Sequence, residues 1–129
     1  MIYLDTSVLL AQLLAEERRP PPAIWREPLI ASRLLEYEVW TRLHARGLEA
    51  SHARAAGELL ARIALVQLSP LVLRRALEPF PLPVRTLDAL YLASIDFLIE
   101  RRLEVRLATY DPRLAAAAAA MAVPIYGLA

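Results

Sequence analysis

The sequence contains no cysteine and only two histidines, His44 and His52. The absence of cysteine excludes disulfide bonds and thiolate metal ligands, and it fits the reducing conditions of a cytoplasm. Oxygen atoms are then the only plausible donors for a metal site. We therefore expect a cytoplasmic protein in which carboxylates hold any bound metal.

Lysine is also absent, and the sequence contains 15 arginines. The sequence also has 14 acidic residues, so the net charge is only +1. This charge is too small for nucleic-acid binding by bulk electrostatics. Any phosphate contacts would be made by planar, forked guanidinium groups. A bias in genome composition or growth temperature is the simpler explanation of the missing lysines.

Long apolar runs are missing, although 57% of the residues are apolar. Asp5, Pro124 and scattered arginines interrupt the apolar stretches well short of the roughly 20 residues that a membrane span needs. The first residues lack the basic leader and cleavage site of a signal peptide. The length favours a single domain over residues 1–129. Because this small domain is so apolar, we expect a second copy or a partner chain to cover part of its surface.

Strand and helix patterns alternate along the chain. The predicted strands are 2–4, 29–31, 65–68, 105–108 and 123–126. The predicted helices are 8–14, 33–46 with Ser32 as its cap, 49–62, a short one opening at Ser69-Pro70, a long one capped by Thr86, and 115–120 capped by Asp111. The alternation predicts a mostly parallel sheet with helices on both faces and ligands at the carboxyl ends of the strands.

Three aspartates stand at informative places in this pattern. Asp5 follows the first predicted strand and Asp111 follows the fourth, so both are expected at the same edge of the sheet. Asp88 lies in the first turn of the long helix, on a stripe with Leu92, Ile95 and Ile99, where an acid needs a partner. The buried face predicted for that helix comprises Leu87, Leu90, Tyr91, Ser94, Ile95 and Leu98.

A further acid is expected from the second helix, which carries both Glu36 and Glu38. Two residues apart, they cannot face the same way, and the helix is apolar on too many sides for periodicity to choose between them. Each acid also has an ordinary structural explanation. Asp5 and Asp111 are suited to cap helices, Asp88 favours a helix N-terminus, and Glu38 could pair with Arg42 one turn later.

Converging carboxylates would repel one another and take up protons unless a divalent cation neutralised them. Oxygen ligands without sulfur favour Mg²⁺ or Mn²⁺. Such an ion can activate water and stabilise the charge that builds on a phosphodiester, so hydrolysis of a nucleic-acid backbone is the resulting hypothesis.

Four motifs in order resemble the PIN-domain family and, more narrowly, the VapC-type toxin ribonucleases. They are Leu4-Asp5-Thr6-Ser7, Ser32-Arg33-Leu34 with Glu38, Leu87-Asp88-Ala89 with Leu92-Ala93, and Thr109-Tyr110-Asp111-Pro112-Arg113-Leu114. Each motif is weak alone, but the four in this order are fairly specific and span nearly the whole chain. The sequence departs from many relatives at Glu36, an additional acid, and at Ala115, where some relatives have one.

The resemblance implies a three-layer α/β/α sandwich and a toxin that cuts structured RNA. It makes Asp5, Glu38, Asp88 and Asp111 the catalytic acids that bind Mg²⁺ or Mn²⁺, and so selects Glu38 over Glu36. Thr6, Ser7 and Thr109 take the supporting hydroxyl positions, although turn or cap roles explain them equally well. The expected partners are an RNA substrate, an antitoxin protein and a second copy of the chain in a homodimer.

Other functions remain to be weighed against this one. An RNA-processing PIN nuclease without an antitoxin, or a non-catalytic PIN-like binding module, would share the fold. A phosphatase of the haloacid-dehalogenase type would need a second aspartate where Ser7 stands, and a phosphoacceptor domain would need a lysine near its end.

Overall fold

In the computed structural model, which describes residues 1–128, the chain forms four strands, six α-helices and one 3₁₀ helix. Ala129, the last residue of the predicted domain, lies outside these residues. The strands are β1 Ile2–Leu4, β2 Leu29–Ser32, β3 Ile63–Val66 and β4 Arg106–Ala108. The α-helices are α1 Thr6–Leu13, α2 Leu34–Ala45, α3 Glu49–Leu60, α4 Pro70–Ala76, α5 Thr86–Glu100 and α6 Pro112–Ala120, and the 3₁₀ helix is Pro22–Arg26.

The four strands form one parallel sheet in the order β3-β2-β1-β4. All four strands run in the same direction, and the side on which strands are added switches at β1, because β2 lies on one side of it and β4 on the other. The carboxyl ends of β1 and β4 are therefore adjacent, with Leu4 paired to Ala108. This places Asp5 beside the segment that begins at Thr109, as the strand positions predicted.

Side chains alternate between the two faces of the sheet, which gives the molecule its three layers. Ile2 and Leu4 pack in a core with α1 and α2, whereas Tyr3 packs in a second core with Leu107 and α5. The predicted α/β/α sandwich with a parallel sheet is confirmed.

Several predicted boundaries are wrong. Helix α1 begins at Thr6, two residues before the predicted start, and only Asp5 separates it from β1. Strand β3 ends at Val66, two residues before the predicted end. The predicted last strand at 123–126 is reduced to a single parallel bridge between Leu107 and Ile125, although the Leu107 N–H donates to the Pro124 oxygen at 2.8 Å.

Caps and faces of α2 and α5 differ from the expectations. Arg33, and not Ser32, stands at the N-cap of α2, although Ser32 Oγ accepts from the Leu34 N–H at 3.1 Å. Thr86 is the first residue of α5 rather than its cap, and Arg85 precedes the helix without a side-chain cap bond. Leu87 is 45% exposed and Ile99 is 38% exposed, so neither belongs to a buried stripe. Ser69 caps α4 as predicted, accepting from the Val72 N–H, and Gly47 ends α2 with a φ of 65°.

Candidate active site

Asp5 lies at the carboxyl end of β1 and is only 9% exposed. Its N–H donates to the Ala108 oxygen at 3.0 Å, which fixes its backbone against β4. The carboxylate makes no bond to the N-terminus of α1. Instead, Oδ2 accepts from Ser7 Oγ at 2.6 Å and from Thr109 Oγ1 at 2.7 Å. Asp5 therefore occupies the N-cap position of α1 as predicted, but its carboxylate makes no capping bond, so capping does not explain where the carboxylate lies.

The two hydroxyl groups that bind Asp5 also hold the chain that leaves β4. Ser7 Oγ accepts from the Tyr110 N–H at 3.0 Å, and Thr109 Oγ1 accepts from the Asp111 N–H at 2.9 Å. Because each hydroxyl donates to Asp5 and accepts from the backbone, the position of the Asp5 carboxylate is coupled to that of Asp111. The sequence predicted supporting hydroxyls here but not which carboxylate they bind.

Asp111 does cap a helix, as its Asp-Pro order indicated. Its Oδ1 accepts from the Arg113 N–H at 2.9 Å and from the Leu114 N–H at 3.4 Å, at the start of α6. These bonds leave Oδ2 available. The capping role and a role in the site are therefore compatible.

Glu38 extends from α2 and is half-buried. Its Oε1 accepts from Thr6 Oγ1 at 2.8 Å. Burial raises the pKa of Glu38, and the charges of Asp5 and Asp88 raise it further, while the Thr6 hydrogen bond and the charge of Arg42 oppose the shift. Arg42 acts through space, because it does not reach salt-bridge distance of Glu38.

Glu36 points elsewhere on the same helix. Its Oε1 lies 3.6 Å from the Arg33 guanidinium, and Glu36 does not line the cleft that contains Glu38. Of the two glutamates, Glu38 is thus the one that lines the cleft.

Asp88 stands in the first turn of α5 and is partly buried. Burial raises the pKa of Asp88; a backbone hydrogen bond with Arg85 opposes this, and the charges of Asp111 and Asp5 raise the pKa further. Leu92 and Ile95 of its predicted stripe are buried. The neighbouring acids thus destabilise the charge of Asp88, whereas the backbone and the charge of Arg85, at the start of its own helix, oppose the shift.

All four acids line one open cleft of about 690 Å³ at the carboxyl ends of the strands. The donors are oxygen atoms. Burial, and after it repulsion between the acids, raises the pKa of Glu38 and of Asp88, and a cation would relieve that repulsion. The chemistry of the donor set therefore fits a hard divalent ion. As the side chains stand within residues 1–128, however, no three His, Asp or Glu residues form a group that could hold a metal.

The sequence did not identify the basic residues of the cleft. Four arginines line it together with the acids, namely Arg18, Arg42, Arg46 and Arg85. The chain has 15 arginines, and nothing in their spacing distinguishes these four before the fold is known. Tyr110, beneath Arg18, also lines the cleft.

A sequence model described as the PIN domain matches residues 2–120. The chain belongs to the PIN-domain family. Among solved structures, this PIN domain is similar to the crystal structure of Mycobacterium tuberculosis VapC20, a toxin that cleaves the sarcin-ricin loop. The TM-score is 0.64 at 20% identity, over 91% of this chain and 95% of VapC20, so the likeness concerns the fold. No curated protein matches the sequence.

Among residues 1–128 of this PIN domain, no helix combines the length and apolarity needed to cross a membrane.

Proposed function

We propose that this PIN domain is a divalent-metal-dependent endoribonuclease and the VapC-type toxin of a type II toxin–antitoxin pair. The observation that carries the proposal is that Asp5, Glu38, Asp88 and Asp111, from four separate segments of the chain, line one cleft. Ordinary structural roles are open to Asp111, through its bonds to α6, and to Asp88, in the first turn of α5, but they do not explain the carboxylates of Asp5 and Glu38.

The four carboxylates would hold Mg²⁺ or Mn²⁺, after side-chain adjustments that bring at least three of them together. When bound, the ion supplies an activated water and stabilises negative charge on the phosphodiester. Thr109 and Ser7 orient Asp5 through Oδ2 and leave Oδ1 unengaged by these bonds, and Thr6 orients Glu38 in the same way. Neutral hydroxyl groups thus position the carboxylates of Asp5 and Glu38.

RNA is the substrate that the PIN resemblance implies. VapC20, with a similar fold, cleaves the sarcin-ricin loop, and a structured RNA loop is accordingly the class of substrate we propose. The arginines beside the acids favour a polyanionic ligand over a neutral one.

The proposed partners are an antitoxin and a second copy of this chain, and the proposed compartment is the cytoplasm. Exposed leucines of α4 and of the start of α5 support an interface: Leu77 is 88% exposed, Leu73 43% and Leu87 45%. A PIN nuclease that processes RNA without an antitoxin would retain the same cleft, and only the partner distinguishes it.

The proposal is tested by incubating the purified chain with a labelled structured RNA and Mn²⁺ or Mg²⁺, with and without a chelator. Glu38→Gln and Glu36→Gln form a matched pair, because they remove the same charge from the same helix but only Glu38 lines the cleft. We expect cleavage to require the cation, to be lost in Glu38→Gln and to persist in Glu36→Gln. Equal activity of the two variants would contradict the assignment.

A further inference from the structure

Within the described residues, five of the 15 arginines make an ion pair or stack on an aromatic ring of the protein itself. Arg33 pairs with Glu36 and Arg75 pairs with Asp96. Arg101 and Arg106 stack on aromatic rings, Arg101 at 3.7 Å from the centre of Phe97 and Arg106 at 5.0 Å from Tyr126. These guanidinium groups are already engaged within the fold.

Three arginines of the cleft differ from these, and we call Arg42, Arg46 and Arg85 the cleft arginines. Within the described part of the chain, they make no ion pair, side-chain hydrogen bond or stacking contact, and all three are exposed. Arg18, which also lines the cleft, is not one of them, because its guanidinium lies 4.9 Å from the centre of the Tyr110 ring. The cleft arginines are therefore free to bind a ligand without breaking an existing contact.

The cleft arginines stand on two sides of the acids. Arg42 lies one helical turn after Glu38 on α2, and Arg46 follows one turn later, so their Cβ atoms form a row with a spacing of about 5–6 Å. Arg85 immediately precedes α5, three residues before Asp88. The walls that present Glu38 and Asp88 thus each also present an exposed arginine.

The charge of the cleft makes such residues necessary for RNA binding. Five carboxylates line the cleft, the four proposed ligands and Glu16, and they repel a polyanion, while a net charge of +1 supplies no general attraction. Affinity must then come from local contacts between phosphates and cations at the rim, and the guanidinium fork suits a phosphate in both shape and charge. Arg42 and Arg46 extend in a row away from Glu38, as contacts along a single strand would require.

We propose that Arg42 and Arg46 bind successive phosphates of one RNA strand on the α2 side of the cut, and that Arg85 binds the strand on the other side. This inference rests on the proposed function, since it assumes that the acids mark the position of the scissile phosphate. In this arrangement the RNA strand contacts two walls of the cleft, and Arg18 contacts no phosphate.

The test measures binding without cleavage. Fluorescence anisotropy of a labelled oligouridine is recorded in chelator over a series of KCl concentrations, for the wild-type chain and for Arg42→Gln, Arg46→Gln and Arg85→Gln. Arg54→Gln is the matched control, because Arg54 is an exposed helical arginine on α3 that does not line the cleft. Thermal melts verify that each variant is folded.

Each cleft variant should bind the oligouridine more weakly at low salt and should reduce the slope of log K against log [KCl] by about 0.7, the loss of one single-strand phosphate contact. Arg54→Gln should leave the slope unchanged, and Arg42→Lys should restore it. Unchanged slopes in the cleft variants, an equal loss in Arg54→Gln, or no salt-dependent binding by the wild type would each overturn the inference.

The same measurements separate this inference from the proposed function. Salt slopes that change as expected, in a chain that does not cut RNA with Mn²⁺ or Mg²⁺, would support the two-sided phosphate site and contradict the nuclease. Cation-dependent cleavage with unchanged slopes would support the nuclease and contradict the phosphate site.

Discussion

Asp5 shows how a residue's role depends on contacts that the sequence does not display. An aspartate followed by a helix is ordinarily a cap, yet its carboxylate turns to Ser7 and to Thr109, more than a hundred positions away. The local sequence could therefore not separate the two roles. Asp111 has the same context and does cap its helix, through contacts within three residues that the local pattern does predict.

Removing the hydroxyl groups around Asp5 should reduce activity without unfolding the chain. Thr109→Val keeps the shape of the side chain but removes both the donor to Asp5 and the acceptor for the Asp111 N–H. Groups that orient metal ligands typically contribute 10- to 100-fold in metal affinity or activity, and we expect a loss of about that size. Titration of Mn²⁺ against cleavage rate gives the measurement, with Thr109→Ser as the conservative control. A Thr109→Val enzyme of wild-type metal dependence would show that the hydroxyl has no positioning role.

Stability should fall as pH rises through the titration of Glu38 in the metal-free protein. Its pKa is raised in the fold by burial and by neighbouring acids, so the folded state binds the proton more tightly than the unfolded chain does. Protonation therefore stabilises the fold, and the charged form at neutral pH destabilises it. Glu38→Gln should raise the Tm in chelator at neutral pH, and the advantage should disappear once the pH falls below the ordinary glutamate value of 4.5.

The readout is the difference in Tm between Glu38→Gln and the wild type across this pH range. Gln keeps an oxygen that accepts the Thr6 hydrogen bond, so the substitution isolates the charge. A Glu38→Gln variant that is less stable than the wild type at neutral pH would contradict the prediction that the charged carboxylate destabilises the fold.

At the scale of elements, strong local signals predicted the helices better than the strands. Proline after serine fixed the start of α4, and Gly47 fixed the end of α2. Short strands have no such markers. Strand β3 begins at Ile63 because it pairs with β2 there. Residues 123–126 form only a bridge, because little of that segment is aligned with β4. Pairing partners far along the chain decide these limits.

Helices α4 and α5 are joined by a contact that should contribute measurably to stability. The Arg75 Nε donates to Asp96 Oδ2 at 2.7 Å, and the guanidinium lies 4.3 Å from the centre of the Phe80 ring. Because both side chains are partly shielded from water, we expect Asp96→Ala to lower the free energy of unfolding by about 1 kcal/mol. Urea denaturation provides the measurement, and Arg74→Ala, an exposed neighbour on α4, is the control. Equal effects of the two substitutions would show that the contact contributes nothing specific.

For the whole molecule, composition predicted a covered apolar surface but not its location. The structure places exposed leucines on α4 and at the start of α5, including Leu73, Leu77 and Leu87. We expect Leu77→Glu to weaken self-association, because it introduces a charge into the most exposed of these positions. Light scattering after size-exclusion chromatography compares its mass with that of the wild type and of Tyr37→Glu, an exposed apolar site on α2. A Leu77→Glu variant that associates like the wild type would exclude this surface from the interface.

The central claim is that four acids from separate segments form one metal-dependent nuclease site. Direct measurement is calorimetric titration of Mn²⁺ into the wild type and into Asp5→Asn, Asp88→Asn and Glu36→Gln, paired with RNA cleavage by the same preparations. The account predicts that the first two substitutions weaken metal binding and abolish chelator-sensitive cleavage, and that Glu36→Gln changes neither. Cleavage that survives both aspartate substitutions, or is insensitive to chelator, would contradict it.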